Sequence, residues 1–100
     1  MGFSVSRHSQ PERKLDLLLR RLGHLRGAVK RGEDSTHIAN AAEKVRLAAI
    51  AIVKAKRALI MEYPQRDPDG RQSRNLQDEE QRWLTLPTDA IVEEHGKDDA

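Results

Sequence analysis

Leu15, Leu18, Leu22, Leu25 and Val29 recur at alternating steps of three and four residues. After a Gly-Glu-Asp-Ser break, Ile38, Val45, Ile52 and Leu59 recur every seven. Each pattern keeps one face of an α-helix apolar, and two such faces joined by one short turn can bury each other only as an antiparallel helical hairpin. Folding the chain at Glu33–Asp34 sets Val29 opposite Ile38, Leu25 opposite Ala42, Leu22 opposite Val45, Leu18 opposite Ala49 and Leu15 opposite Ile52. Large side chains of the first helix then meet alternating small and branched ones of the second, a pattern suited to interdigitation.

Local signals bound the two helices. Ser9-Gln10-Pro11-Glu12 has the form of a capping box, with Gln10 as the competing cap because proline disfavours a helical residue before it. Lys30 and Arg31 sit at the negative end of this first helix, expected over 10–31, and Gly32 is its natural stop. Asp34 or Ser35 caps the second helix, expected over 35–63, which ends where Tyr63 meets Pro64. The second helix outruns the first by about six residues, so about 9 Å overhangs at 1.5 Å per residue. Leu59, Ile60 and Tyr63 lie there, with Phe3 and Val5 of the N-terminal segment 1–9 within reach to cover them.

The second helix has a further apolar flank. Leu47, Ile50, Ala51, Ala58 and Met61 lie away from Val45 and Ile52, interrupted by Lys54. One hairpin cannot cover both sides, and 54 residues bury little surface on their own. The expected solution is a second copy, a homodimer closing a four-helix bundle through these five residues; the alternative is a C-terminal segment folded back over them.

Beyond Pro64 the character of the chain changes. Residues 64–75 read as a linker around the turn signal Asp67-Pro68-Asp69-Gly70. Residues 76–100 read as an acidic tail with one or two short helices, the first capped by Ser73 or Asn75, the second starting at Thr88 after Pro87 and stopping at Gly96. Residues 10–63 hold twelve Lys and Arg against six Asp and Glu, whereas residues 64–100 hold five against ten. A basic body with an acidic tail calls for an anionic partner or for a tail that answers the body's own charge. Trp83, Leu84 and Leu86 are the expected docking residues of the tail, packed on the hairpin or offered to a partner's groove.

Composition excludes several classes of function. With no cysteine, neither a disulfide framework nor a thiolate metal site is available. His8, His24, His37 and His95 form no chelating spacing and are expected in solvent; Glu93-Glu94-His95 places neighbours on different faces. There is no Gly-rich phosphate loop and no carboxylate pair placed for acid–base work, so a non-enzyme without metal or cofactor is expected. The longest apolar run, Leu47 to Val53, is seven residues, against the roughly 18 of a membrane span. A cytoplasmic setting is the expectation.

The remaining surface offers three features. Arg13, Arg20, His24 and Arg31 share a stripe of the first helix, and Lys54 and Arg57 add charge on the second; together they are the candidate phosphate contacts of a nucleic-acid-binding alternative. Gly23 and Gly27, four apart, either admit another helix closely or are simply tolerated. Met1-Gly2 with Ser6 matches a loose N-myristoylation pattern. The fold class expected is all-α: a long antiparallel hairpin that dimerises, with an acidic, short-helix tail. The role expected is a small adaptor or regulatory protein that binds a protein partner and itself through helix–helix contacts.

Overall fold

The computed structural model describes residues 10–97, with side chains from Arg13 onward. All regular structure in this span is helical: α1 (Gln10–Lys30), α2 (Ser35–Glu62), a 3-10 turn (Pro64–Arg66), α3 (Arg71–Thr85) and α4 (Thr88–His95). None of these helices is long and apolar enough to cross a membrane. At 28 residues α2 is the axis of the molecule, about 42 Å long at 1.5 Å per residue. The whole measures 47 × 38 × 25 Å, so it is a slab about two helices thick.

The hairpin turn is built from two local devices. Gly32 adopts φ 67°, which admits glycine without a Cβ penalty, and its N–H reaches the Val29 carbonyl while the Glu33 N–H reaches Ala28. That pair of bonds is a Schellman motif, and it satisfies carbonyls that the end of α1 would otherwise leave bare. Asp34 follows in extended conformation and accepts from the His37 N–H at 2.9 Å, capping α2. The hydrogen bonds from the His37 backbone and ring hold the Asp34 carboxyl below its usual range.

The core lies at the turn end of the slab. Leu25, Ala41, Ala42, Val45 and Ile91 are fully enclosed, with Leu18, Leu22, Val29, Ile38, Trp83, Leu86 and Val92 packed around them. Burial along the leucine seam is graded: Leu25 has no exposed surface, whereas Leu15 is 46% exposed. The gradient has a structural cause. α4 covers α1 and α2 only near the turn, while α3 packs on α2 with little contact to α1, so the N-terminal half of α1 is covered from one side. Pairing Leu15 with Ile52 as core partners therefore holds for Ile52, which is buried, and not for Leu15.

α3 begins at Arg71, inside the stretch expected to be linker, and neither Ser73 nor Asn75 is its cap. Asp67 reaches forward instead: its Oδ1 accepts from the Gln72 N–H at 3.0 Å, and its Oδ2 from the Ser73 N–H at 3.0 Å and the Ser73 hydroxyl at 2.8 Å. Asp69 accepts from the Arg71 N–H at 3.1 Å, and Gly70 at φ 71° makes the bend that lets both carboxylates face the first turn. The first three amides of α3 are thereby all satisfied. Partial desolvation works to raise the Asp67 carboxyl, but the bonds from Gln72 and Ser73 and the charge of Arg74 together outweigh it and hold it low. Replacing Asp67 with alanine should speed hydrogen exchange of the Gln72 and Ser73 amides by roughly tenfold and leave α1 unchanged. Exchange that is unaltered at those two amides would refute the capping role.

The C-terminal helices also take over part of the flank expected to need a second copy. α3 and α4 both pack on α2, and α3 runs alongside the overhang, where Leu59 and Ile60 share a groove with Leu76. Phe3 and Val5, the other expected cover, and Ser9, Ser6 and Gly2 of the capping-box and acylation patterns lie outside the described residues.

Candidate functional site

The C-terminal helices are held to α2 by one polar network. The Arg46 guanidinium donates through Nε and Nη2 to the two oxygens of Glu43, at 3.0 and 3.1 Å. Its Nη1 donates to the Trp83 carbonyl, with Leu84 O at 3.4 Å. These carbonyls belong to the last turn of α3, so Arg46 serves as a C-terminal cap supplied by another helix. Glu43 in turn accepts from the Thr88 hydroxyl of α4 at 2.6 Å. The bonds from Arg46, then from Thr88, hold the Glu43 carboxyl below its ordinary range against modest desolvation. Farther along, Arg57 pairs with Glu80 at 2.6 Å. Arg57 thus answers an acidic side chain of the tail, while Arg46 answers its backbone carbonyls.

Trp83 is half-buried against the core and Leu86 packs beside it, whereas Leu84 is 53% exposed. The three expected docking residues therefore part company. A helix turns about 100° per residue, so Leu84 faces away when Trp83 faces in. The Trp83 indole stacks on the His95 imidazole, centroids 5.2 Å apart and planes inclined by 25°. His95, expected in solvent, is half-buried there, and its carbonyl accepts from Arg26 Nε at 3.2 Å. His24 and His37 are exposed as expected, and His8 lies outside the described residues. No cluster of metal-ligating side chains occurs among the described residues.

The second feature is the outward side of α2. Lys44, Leu47, Ala51, Lys54, Ala58 and Met61 follow one another at steps of three and four. Leu47 is 66% exposed and Met61 81%, Ala58 is exposed and Ala51 is half-buried. Ile50, assigned to the same self-association face, is only 8% exposed and is already spent within the monomer. On a wheel it stands about 60° from Leu47 and about 40° from Arg46, whose guanidinium meets the end of α3, so it lies off the outer stripe on the side of the C-terminal helices. Between this stripe and α1 runs a shallow groove of about 190 Å³ lined by Leu17, Arg21, Lys44, Leu47, Ala48 and Ala51. Leu17 was not singled out by its sequence pattern, since it lies off the leucine seam.

The candidate phosphate contacts are dispersed. Arg13, Arg20, His24 and Lys54 are exposed, but Arg31 pairs with Glu33 at 2.6 Å and Arg57 with Glu80. Arg57 ties helices together and is removed from any free basic face. Gly23 meets no neighbour within 4 Å of where a Cβ would stand, and Gly27 meets only the side chain of Arg31. Among the described residues, no other helix is found within 4 Å of where a Cβ would stand on either glycine.

No family model, curated protein or solved structure matches this chain.

Proposed function

We propose that this protein is a non-catalytic adaptor or regulatory module that works by docking helices against the outward side of α2. The observation that carries the reading is the stripe Lys44, Leu47, Ala51, Lys54, Ala58 and Met61, four of them apolar, left open after α1, α3 and α4 have been accommodated. Alternating steps of three and four are the spacing by which one helix meets another along its length, and large exposed apolar residues on that spacing need a covering partner more than scattered ones do. The locked C-terminal helices support the same reading, because they make the face a fixed platform.

A photo-crosslinking residue at Leu47 or Met61 should trap protein in the native cell, while the same residue at exposed Asp78 on α3 should not. Equal trapping at all three positions, or none, defeats the proposal. One use of the face is a homodimer closed as a four-helix bundle. In that form light scattering gives about twice the 11.3 kDa chain mass, and Leu47→Glu with Met61→Glu returns it to one chain with helicity kept. A wild-type chain that stays at one mass at every concentration removes the dimer.

Exposure of Arg13, Arg20, His24 and Lys54 favours a second reading, binding to nucleic-acid phosphates. It requires affinity near about 50 mM salt that falls steeply as salt is added, and a flat response rules it out.

A further inference from the structure

The groove between α1 and α2 carries information about what fills it. Its floor is aliphatic, made by Leu17, Leu47, Ala48 and Ala51, and its charged lining residues among those described are Arg21 and Lys44. At about 190 Å³ it is smaller than the roughly 300 Å³ at which small-molecule pockets begin, so it suits the knob side chains of a helix better than a free metabolite. Ala48 and Ala51 keep one wall low, which allows a partner helix to approach closely. Lys54 stands on the same side of α2 one turn beyond Ala51, about 15 Å from Lys44. Among the described residues, no carboxylate lines the groove.

A second copy meeting this face about a two-fold axis would bring Arg21, Lys44 and Lys54 to both sides of the interface, and like charges facing one another across it weigh against that pairing. A phosphate backbone would answer the cations but leave Leu17 and Leu47 wet, and no aromatic side chain is present in the groove to stack on bases. We infer that the occupant is an acidic amphipathic helix of another protein, with aliphatic residues on the groove floor and Asp or Glu paired with Arg21, Lys44 and Lys54. The inference rests on the docking reading above and gives it a partner chemistry. The recognition mode is helix-in-groove, in which aliphatic knobs supply affinity and the rim charges select the partner.

Two synthetic peptides of about three heptads test it. One has leucines at alternating steps of three and four flanked by glutamates; the other has every glutamate replaced by lysine. Binding to the intact protein is read by fluorescence anisotropy. The glutamate peptide is expected to bind, at least about tenfold more tightly than the lysine peptide and less tightly as salt rises. Lys44→Glu should weaken the glutamate peptide by roughly tenfold and strengthen the lysine peptide. Leu47→Gln should weaken the glutamate peptide without changing the preference. Both positions are exposed, so circular dichroism should be unchanged in each variant.

Equal binding of the two peptides, or a glutamate-peptide affinity indifferent to Lys44→Glu, overturns the acidic-partner assignment while leaving helix docking in place. Binding of neither peptide overturns it as well, and the crosslinks at Leu47 and Met61 then decide separately whether the docking reading survives. A duplex oligonucleotide that displaces the glutamate peptide in a manner lost with Leu47→Gln would assign the groove to nucleic acid instead.

Discussion

Ile91→Asp is expected to release α4 from the body of the protein while leaving the hairpin formed. Ile91 has no exposed surface and is the one fully enclosed side chain on an eight-residue helix. A helix that short has no stability of its own; it is helical because its apolar side is buried. An unpaired carboxylate among Leu25, Ala41, Ala42 and Val45 would cost several kcal/mol, more than the contacts of α4 return, so the helix leaves rather than burying it. With α4 go the stack of His95 on Trp83, the bond from Arg26 to His95 O and the bond from Thr88 to Glu43. The milder Ile91→Ala should cost about 2–4 kcal/mol by cavity formation. In Ile91→Asp, Trp83 emission should shift to the red and become accessible to a soluble quencher, and amides of α4 should lose protection. The amides around Val45 and Ala49 should keep most of theirs. An unshifted tryptophan spectrum would show that the C-terminal helices are held by something other than this anchor.

Arg46→Met should loosen the same region by a different route. The guanidinium side chain is 13% exposed and serves four acceptors at once: both Glu43 oxygens and the carbonyls of Trp83 and Leu84. Methionine keeps much of the packing and removes every donor. The end of α3 then has two unanswered carbonyls, and Glu43 retains only Thr88. Full burial of a broken pair would argue for a larger loss, but the Glu43 side chain is 44% exposed and water answers part of it. The expected cost is about 2 kcal/mol.

The pH dependence carries a signature of that network. Glu43 is held below its ordinary value of 4.5, first by Arg46 and then by Thr88. A lowered carboxylate contributes stability that is complete above the unfolded value and is lost as pH falls through the folded one. The gap between wild type and Arg46→Met should therefore be full above about pH 5 and narrow as pH drops below 4.5, as followed by urea melts across the acid range. A constant gap would mean that the arginine acts through packing and its bonds to the Trp83 and Leu84 carbonyls, with no contribution from Glu43.

Much of this architecture was legible from local pattern. The leucine seam, the stop at Gly32 and a cap at Asp34 or Ser35 depend on residues within a few positions of one another, and local chemistry is enough to place them. The start of α3 was not legible in the same way. Asp67 bonds to amides five and six residues ahead, across a bend at Gly70, and a turn signal alone does not say which helix it will cap. Leu17 gave no signal, because its value lies in the groove it forms with α2. Arg57 read as part of a basic face until its partner across the fold was located.

The residue order thus settled the two long helices, the hairpin and the imbalance of charge between the two halves, since helix periodicity and capping act over short distances. It left open how much of the second apolar flank on α2 stays wet. Leu47 and Ile50 are three residues apart and equally greasy, yet one is open to solvent and the other enclosed. That difference arises from where a capped α3 and an anchored α4 come to rest, and packing between elements distant in sequence is not written in the periodicity of either.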